Sequence, residues 1–135
     1  MGLLTFSSNI ADAEAPPQLP PGEYKAICTA AQDKVAVSSG NPMLTLTMQV
    51  PRSEFPADFD PGDGVDELTF TLNVVSRDIP ADRWRMKNTC KAFGVPMSNN
   101  IDPNDFVGRE CRARVKMGKD LEKNDRAEIG QVLPL

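Results

Sequence analysis

Three cations stand at two-residue spacing late in the sequence: Arg112, Arg114 and Lys116. On an extended strand that spacing sends all three side chains to one face, roughly 7 Å apart. Such a row repels itself, and a phosphate backbone would relieve the repulsion while releasing counterions. The competing expectation is that acids of a neighbouring strand, Glu128 among them, neutralise the row. Lys34 and Lys119 fall in two flanking turn regions and would extend the positive track. Tyr24, and with it Phe55 from a long loop, are the aromatics placed to stack bases, an interaction worth about 1–3 kcal/mol per base. Together these residues point to sequence-tolerant binding of an unpaired polyanionic strand.

Most other chemistry is excluded by what the chain lacks. It has no histidine, which removes histidine bases, histidine metal ligands and Ser-His or Cys-His nucleophiles. Cys28, Cys90 and Cys111 are odd in number and far apart, as expected of core thiols in a reducing compartment. Asp60-Pro-Gly-Asp-Gly64 resembles a calcium loop in composition but lacks its ligand spacing, so no metal is expected. Gly118-Lys119 lacks the upstream glycine and the hydroxyl of a phosphate loop. No enzyme activity and no cofactor are expected. The start, Met1 to Phe6, has neither a basic region nor a long apolar run, and no stretch is long enough to span a membrane. The expectation is a cytoplasmic protein without a membrane partner.

The net charge of −4 conceals an asymmetry. Residues 1–76 carry three bases against ten acids, whereas residues 77–135 carry twelve bases against nine. Six of the acids lie between Glu54 and Glu67, where there is no base. Acidity on this scale argues against indiscriminate polyanion binding, but a local basic face can still steer one.

Those side chains must be held by short strands. Residues 1–21 read as an irregular arm, interrupted by Pro16, Pro17, Pro20 and Pro21. Residues 22–135 read as one domain. Tyr24, Ala26, Cys28 and Ala30 alternate with Lys25, Ile27, Thr29 and Ala31 in a first, mildly two-sided strand. Leu44, Leu46, Met48 and Val50 mark a second, which Pro51 ends, with Thr45, Thr47 and Gln49 on its wet side. Leu68, Phe70 and Leu72 mark a third, with Thr69 and Thr71 outward. The period then changes. Asp78 as a cap, Pro80, Asp82 and the stripe Met86, Thr89, Cys90, Phe93 predict a helix of about 14 residues, closed by Gly94 and Pro96. Trp84 is expected to anchor that helix in the core, and Arg83, Arg85, Lys87 and Lys91 to be a solvated face. Cys111, Ala113, Val115 and Met117 predict the fourth strand's inner side. Ala127 and Ile129 open a fifth. Three strands, a helix and two strands is the order of the five-stranded oligonucleotide/oligosaccharide-binding (OB) barrel, with its helix between strands three and four.

Four blocks carry a resemblance. They are Leu19-Pro-Pro-Gly-Glu-Tyr24, Ser39-Gly-Asn-Pro-Met-Leu44, Trp84-Arg-Met-Lys-Asn-Thr-Cys-Lys-Ala-Phe-Gly94 and Asp102-Pro-Asn-Asp-Phe-Val-Gly108. In this order they resemble a family of small phage-encoded single-stranded DNA-binding proteins of the replication and recombination region. The resemblance implies an OB-fold barrel, single-stranded DNA as ligand, and a phage recombinase, helicase or polymerase as partner, in the cytoplasm of an infected bacterial host. A homo-oligomer is compatible with it. Unlike many such binders, the sequence ends in Gln131-Val-Leu-Pro-Leu135 and not in an acidic tail. The second reading is a non-catalytic protein-interaction module of the same fold, using the acidic loop or the apolar C-terminus in phage replication or virion assembly.

Overall fold

The computed structural model describes residues 3–135; Met1 and Gly2, the start of the expected arm, lie outside the described residues. Among the described residues five strands, β1 (Gly22–Val35), β2 (Pro42–Pro51), β3 (Glu67–Val75), β4 (Glu110–Lys119) and β5 (Asp125–Leu133), form a single sheet, with one α-helix, α1 (Pro80–Phe93), between β3 and β4. The order across the sheet is β3-β2-β1-β4-β5, and all neighbours are antiparallel. The fold is therefore mainly β. Strand β1 is its spine: Gly22–Ile27 pairs with β4, and Ile27–Val35 pairs with β2.

Alternation places the inner face as the residue pattern requires. Tyr24, Ala26, Cys28, Leu46, Met48, Val50, Cys111, Ala113 and Val115 are all buried. Two bulges change the parity. Cys28 opposes Met48 while Ala30 opposes Thr47, so Thr29 is an extra residue. Beyond it Ala31 packs against the core and Ala30 is exposed, which corrects the expected inward position of Ala30. In β5, Gly130 is the extra residue between Ile129 and Gln131. Met117 also departs from expectation. It lies opposite the buried Ala127 and is itself exposed.

The expected closed barrel is not formed. Among the described residues no ladder joins β3 to β5, although the two edges come within 8 Å of each other between Cα atoms. The seam between them is a groove of about 440 Å³ walled by residues 68–71 of β3, residues 125–128 of β5 and residues 15–19 of the arm. A proline-rich segment thus stands where the closing ladder would run. It is anchored at three successive residues. Gln18 Oε1 accepts a hydrogen bond from the Ala127 amide (2.8 Å), Leu19 is buried in the core, and Pro20 O accepts from the Tyr24 hydroxyl (2.7 Å).

Helix α1 covers the inner face from the β3, β4 and β5 side. Its start lacks the side-chain cap expected from Asp78: Ile79 occupies the cap position, and Asp78 instead accepts from Arg83 at 2.6 Å. Its end follows the expected pattern. Gly94 is left-handed (φ 70°), the Val95 amide donates to Cys90 O (2.9 Å), and the Gly94 amide donates to Lys91 O (3.3 Å). Phe93 then packs edge-on against Phe106, from the turn Pro103–Phe106, with centroids 5.6 Å apart.

Candidate nucleic-acid interface

The wet face of β4 carries Arg112, Arg114 and Lys116 in a row, with Ala113 and Val115 between them buried. Register decides their neighbours. Glu23 opposes Arg114, Lys25 opposes Arg112, and Glu128 opposes Lys116. Accordingly Arg114 Nη2 lies 3.5 Å from Glu23 Oε2 and its Nη1 donates to Gln131 Oε1 at 3.0 Å. Lys116 Nζ lies 3.7 Å from Glu128 Oε1, while its aliphatic stem lies over Gly130. Lys25 Nζ reaches diagonally to Glu110 Oε2 at 3.1 Å. Arg112 is different. It has no carboxylate within 4.0 Å among the described residues, and it faces a lysine. All these ion pairs are about half exposed, the regime in which such pairs contribute roughly 0–1 kcal/mol.

The remaining expected contacts are scattered. Lys119, at the end of β4, is paired with Asp125 across the hairpin. Lys34 lies near the other end of β1, exposed and without an acidic partner among the described residues. Tyr24 is not a stacking platform. It is 6% exposed, and burial, with the Asp58 carboxylate contributing, pushes its phenol above the ordinary value. Phe55 is half-buried and packed edge-on to Phe59, with centroids 5.3 Å apart. Both rings face inward because the alternation that buries Ala26 and Cys28 also buries Tyr24, and because the loop is drawn over the sheet. Arg52 cinches that loop through Val65 O (2.8 Å) and Asp66 O (2.8 Å), and Glu54 Oε1 accepts from the Lys25 amide (2.9 Å).

Sequence reasoning missed Lys25, Glu23 and Glu110. Their outward parity was legible, but the strand pairing that sets them beside β4 was not. It also misplaced Trp84, which is 62% exposed, with Lys87 Nζ 5.5 Å from its ring centroid. Next to the uncharged outer residues Thr47, Gln49, Thr69 and Thr71 of β2 and β3, Thr45 is itself buried and donates to Asn73 Oδ1 at 2.9 Å.

Cys28, Cys90 and Cys111 are buried free thiols. Burial, reinforced by Cys28, pushes Cys111 up to about 12, and burial raises the other two. All three are thus protonated at neutral pH. Among the described residues no group of three or more Cys, Asp or Glu side chains gathers to hold a metal ion. No helix among them is long and apolar enough to cross a membrane. No curated protein matches the chain. Residues 5–134 match the family model described as "Protein of unknown function (DUF669)", nearly the whole length, and the chain belongs to that family.

Proposed function

We propose that this chain binds single-stranded DNA with little sequence preference across the wet face of β1 and β4, on an OB-type sheet left open along one seam. Support for the fold reading comes from the element order, the central place of β1 and the approach of the β3 and β5 edges. Support for a role in phage replication or recombination, in the cytoplasm of an infected host, comes from the resemblance of the four sequence blocks.

The observation that carries the binding reading is the Lys25–Arg112 cross-strand pair. Like charges directly opposite one another destabilise a sheet; Glu110 offsets the Lys25 side of this pair, and Arg112 is left as the cation that a bound phosphate would neutralise. The neighbouring ion pairs are exposed and weak, so phosphates compete with their carboxylates. The test is fluorescence anisotropy of labelled oligo-dT at low salt. Binding should weaken steeply as salt rises. Arg112→Glu should lower affinity and reduce the salt slope by about 0.7 for each phosphate that the face no longer neutralises. Arg114→Glu should do less, because Glu23 already offsets that charge. Affinity unchanged by Arg112→Glu would remove this face from the interface.

A protein-interaction role has its own support in the exposed apolar side chains of the arm, Leu3, Leu4, Phe6 and Ile10. A flat anisotropy titration at low salt, with sedimentation showing self-association that Phe6→Ser abolishes, favours that role.

A further inference from the structure

Helix α1 presents Trp84, Lys87, Asn88 and Lys91 at positions i, i+3, i+4 and i+7, so the four share one stripe, and all four are exposed. The stripe contains no acid. Neither lysine has a carboxylate within 4.0 Å among the described residues. Lys91, in the last turn, complements the negative end of the helix dipole; Lys87, mid-helix, has no such role. The Trp84 indole is 62% exposed, and the Lys87 ammonium lies 5.5 Å from its ring centroid, so an aromatic face and a cation stand side by side on the stripe.

We propose that this stripe is a second contact for single-stranded DNA, with Trp84 stacking one unpaired base and Lys87 and Lys91 meeting the phosphates beside it. The proposal rests on the single-stranded DNA reading above and supplies the aromatic platform that the sheet lacks, since Tyr24 and Phe55 are turned inward. Charge selects this occupant over an apolar protein surface. On a chain of net charge −4, Arg83 and Arg85 of α1 are paired with Asp78 and Asp82, while Lys87 and Lys91 have no carboxylate within 4.0 Å among the described residues and keep their positive charge for a ligand. Lys87 and Lys91 are about 6 Å apart along the axis, close to one nucleotide of an extended strand. The groove of about 790 Å³ beside Arg83 and Lys87 is lined by Asp33, Asp78 and Asp82 as well as by Met43 and Met86, so the strand is held to the helix stripe and does not enter it.

Trp84 is the only tryptophan of the chain, so its emission reports this site alone. Oligo-dT titrated into the full chain at low salt should quench that emission along the same isotherm as anisotropy, and salt should reverse both. Trp84→Ala should weaken binding about 5- to 150-fold, and Trp84→Phe should restore most of it. Lys87→Glu should weaken binding and flatten the salt slope. These side chains are exposed, and thermal melts of the variants verify that they fold. Anisotropy showing binding while Trp84 emission stays constant and Trp84→Ala binds like the parent overturns the helix contact and leaves the sheet reading standing. No binding at low salt overturns both. Trp84→Ala dispersing a self-associated form without altering DNA affinity assigns the stripe to a protein contact and overturns the proposal.

Discussion

Asp82 shows how much one carboxylate does here. It sits in the first turn of α1, where a negative charge suits the helix dipole, and sequence reading places it there for that reason. The structure adds a clasp. Arg77 donates to it through Nε (2.7 Å), Nη2 (3.3 Å) and its backbone amide (3.0 Å), and Arg85 donates through Nη1 (3.2 Å). Asp82 is 1% exposed, yet it is covered by those guanidinium groups and not sunk in the apolar core. The Arg77 hydrogen bond outweighs the opposing effect of burial and holds the carboxyl below its usual range. A carboxyl depressed in the folded state stabilises the fold above its unfolded pKa, near 3.9, and loses that contribution as pH falls through the folded value. Asp82→Asn should therefore lower the melting temperature at pH 7, and the gap to the parent should close below about pH 4. A gap independent of pH would mean that shape and not charge matters at this position.

At the scale of elements, strands and helix were legible because each is a local pattern. Alternation marks β2 and β4, and the stripe from Met86 to Phe93 marks α1 with its glycine stop. The same periodicities account for the two misplaced aromatics. Tyr24 shares parity with the buried Cys28, and Trp84 lies about 200° around the helix from Met86, on the side away from the core. The bulges at Thr29 and Gly130 were not legible, because an extra residue is defined only against its partner strand. Closure was not legible either, since it depends on strand tilt and stagger. The helix stop permits a direct check. Gly94 has φ 70°, and a Cβ there would meet nothing nearer than Arg109 Nη1 at 3.8 Å, so Gly94→Ala isolates the backbone cost. That cost should be about 1–2 kcal/mol in urea unfolding, with an unchanged m value. A neutral substitution would mean that α1 ends differently in solution.

For the whole molecule, stability turns on the unclosed seam between β3 and β5. An open sheet exposes edge N–H and C=O groups that invite a foreign strand, and here the arm manages one edge. Gln18 satisfies the Ala127 amide, on a residue that is buried, and Leu19 fills the core beneath. Everything before Gln18 is exposed, from Leu3 through Pro17. The arm therefore divides sharply at Gln18. Removing residues 1–17 should change unfolding free energy by no more than about 0.5 kcal/mol, as for other exposed positions. Leu19→Ala should cost about 2–5 kcal/mol through the cavity it leaves. Gln18→Ala should cost about 1–3 kcal/mol by leaving a buried amide without its acceptor. Hydrogen exchange locates the effect, because Ala127 should lose protection in Gln18→Ala while Cys28, inside the β1 spine, keeps it until global unfolding. If Ala127 stayed protected, another acceptor would have to reach it, and the nearest candidate is β3: the edges would have zipped together, and the barrel would be closed.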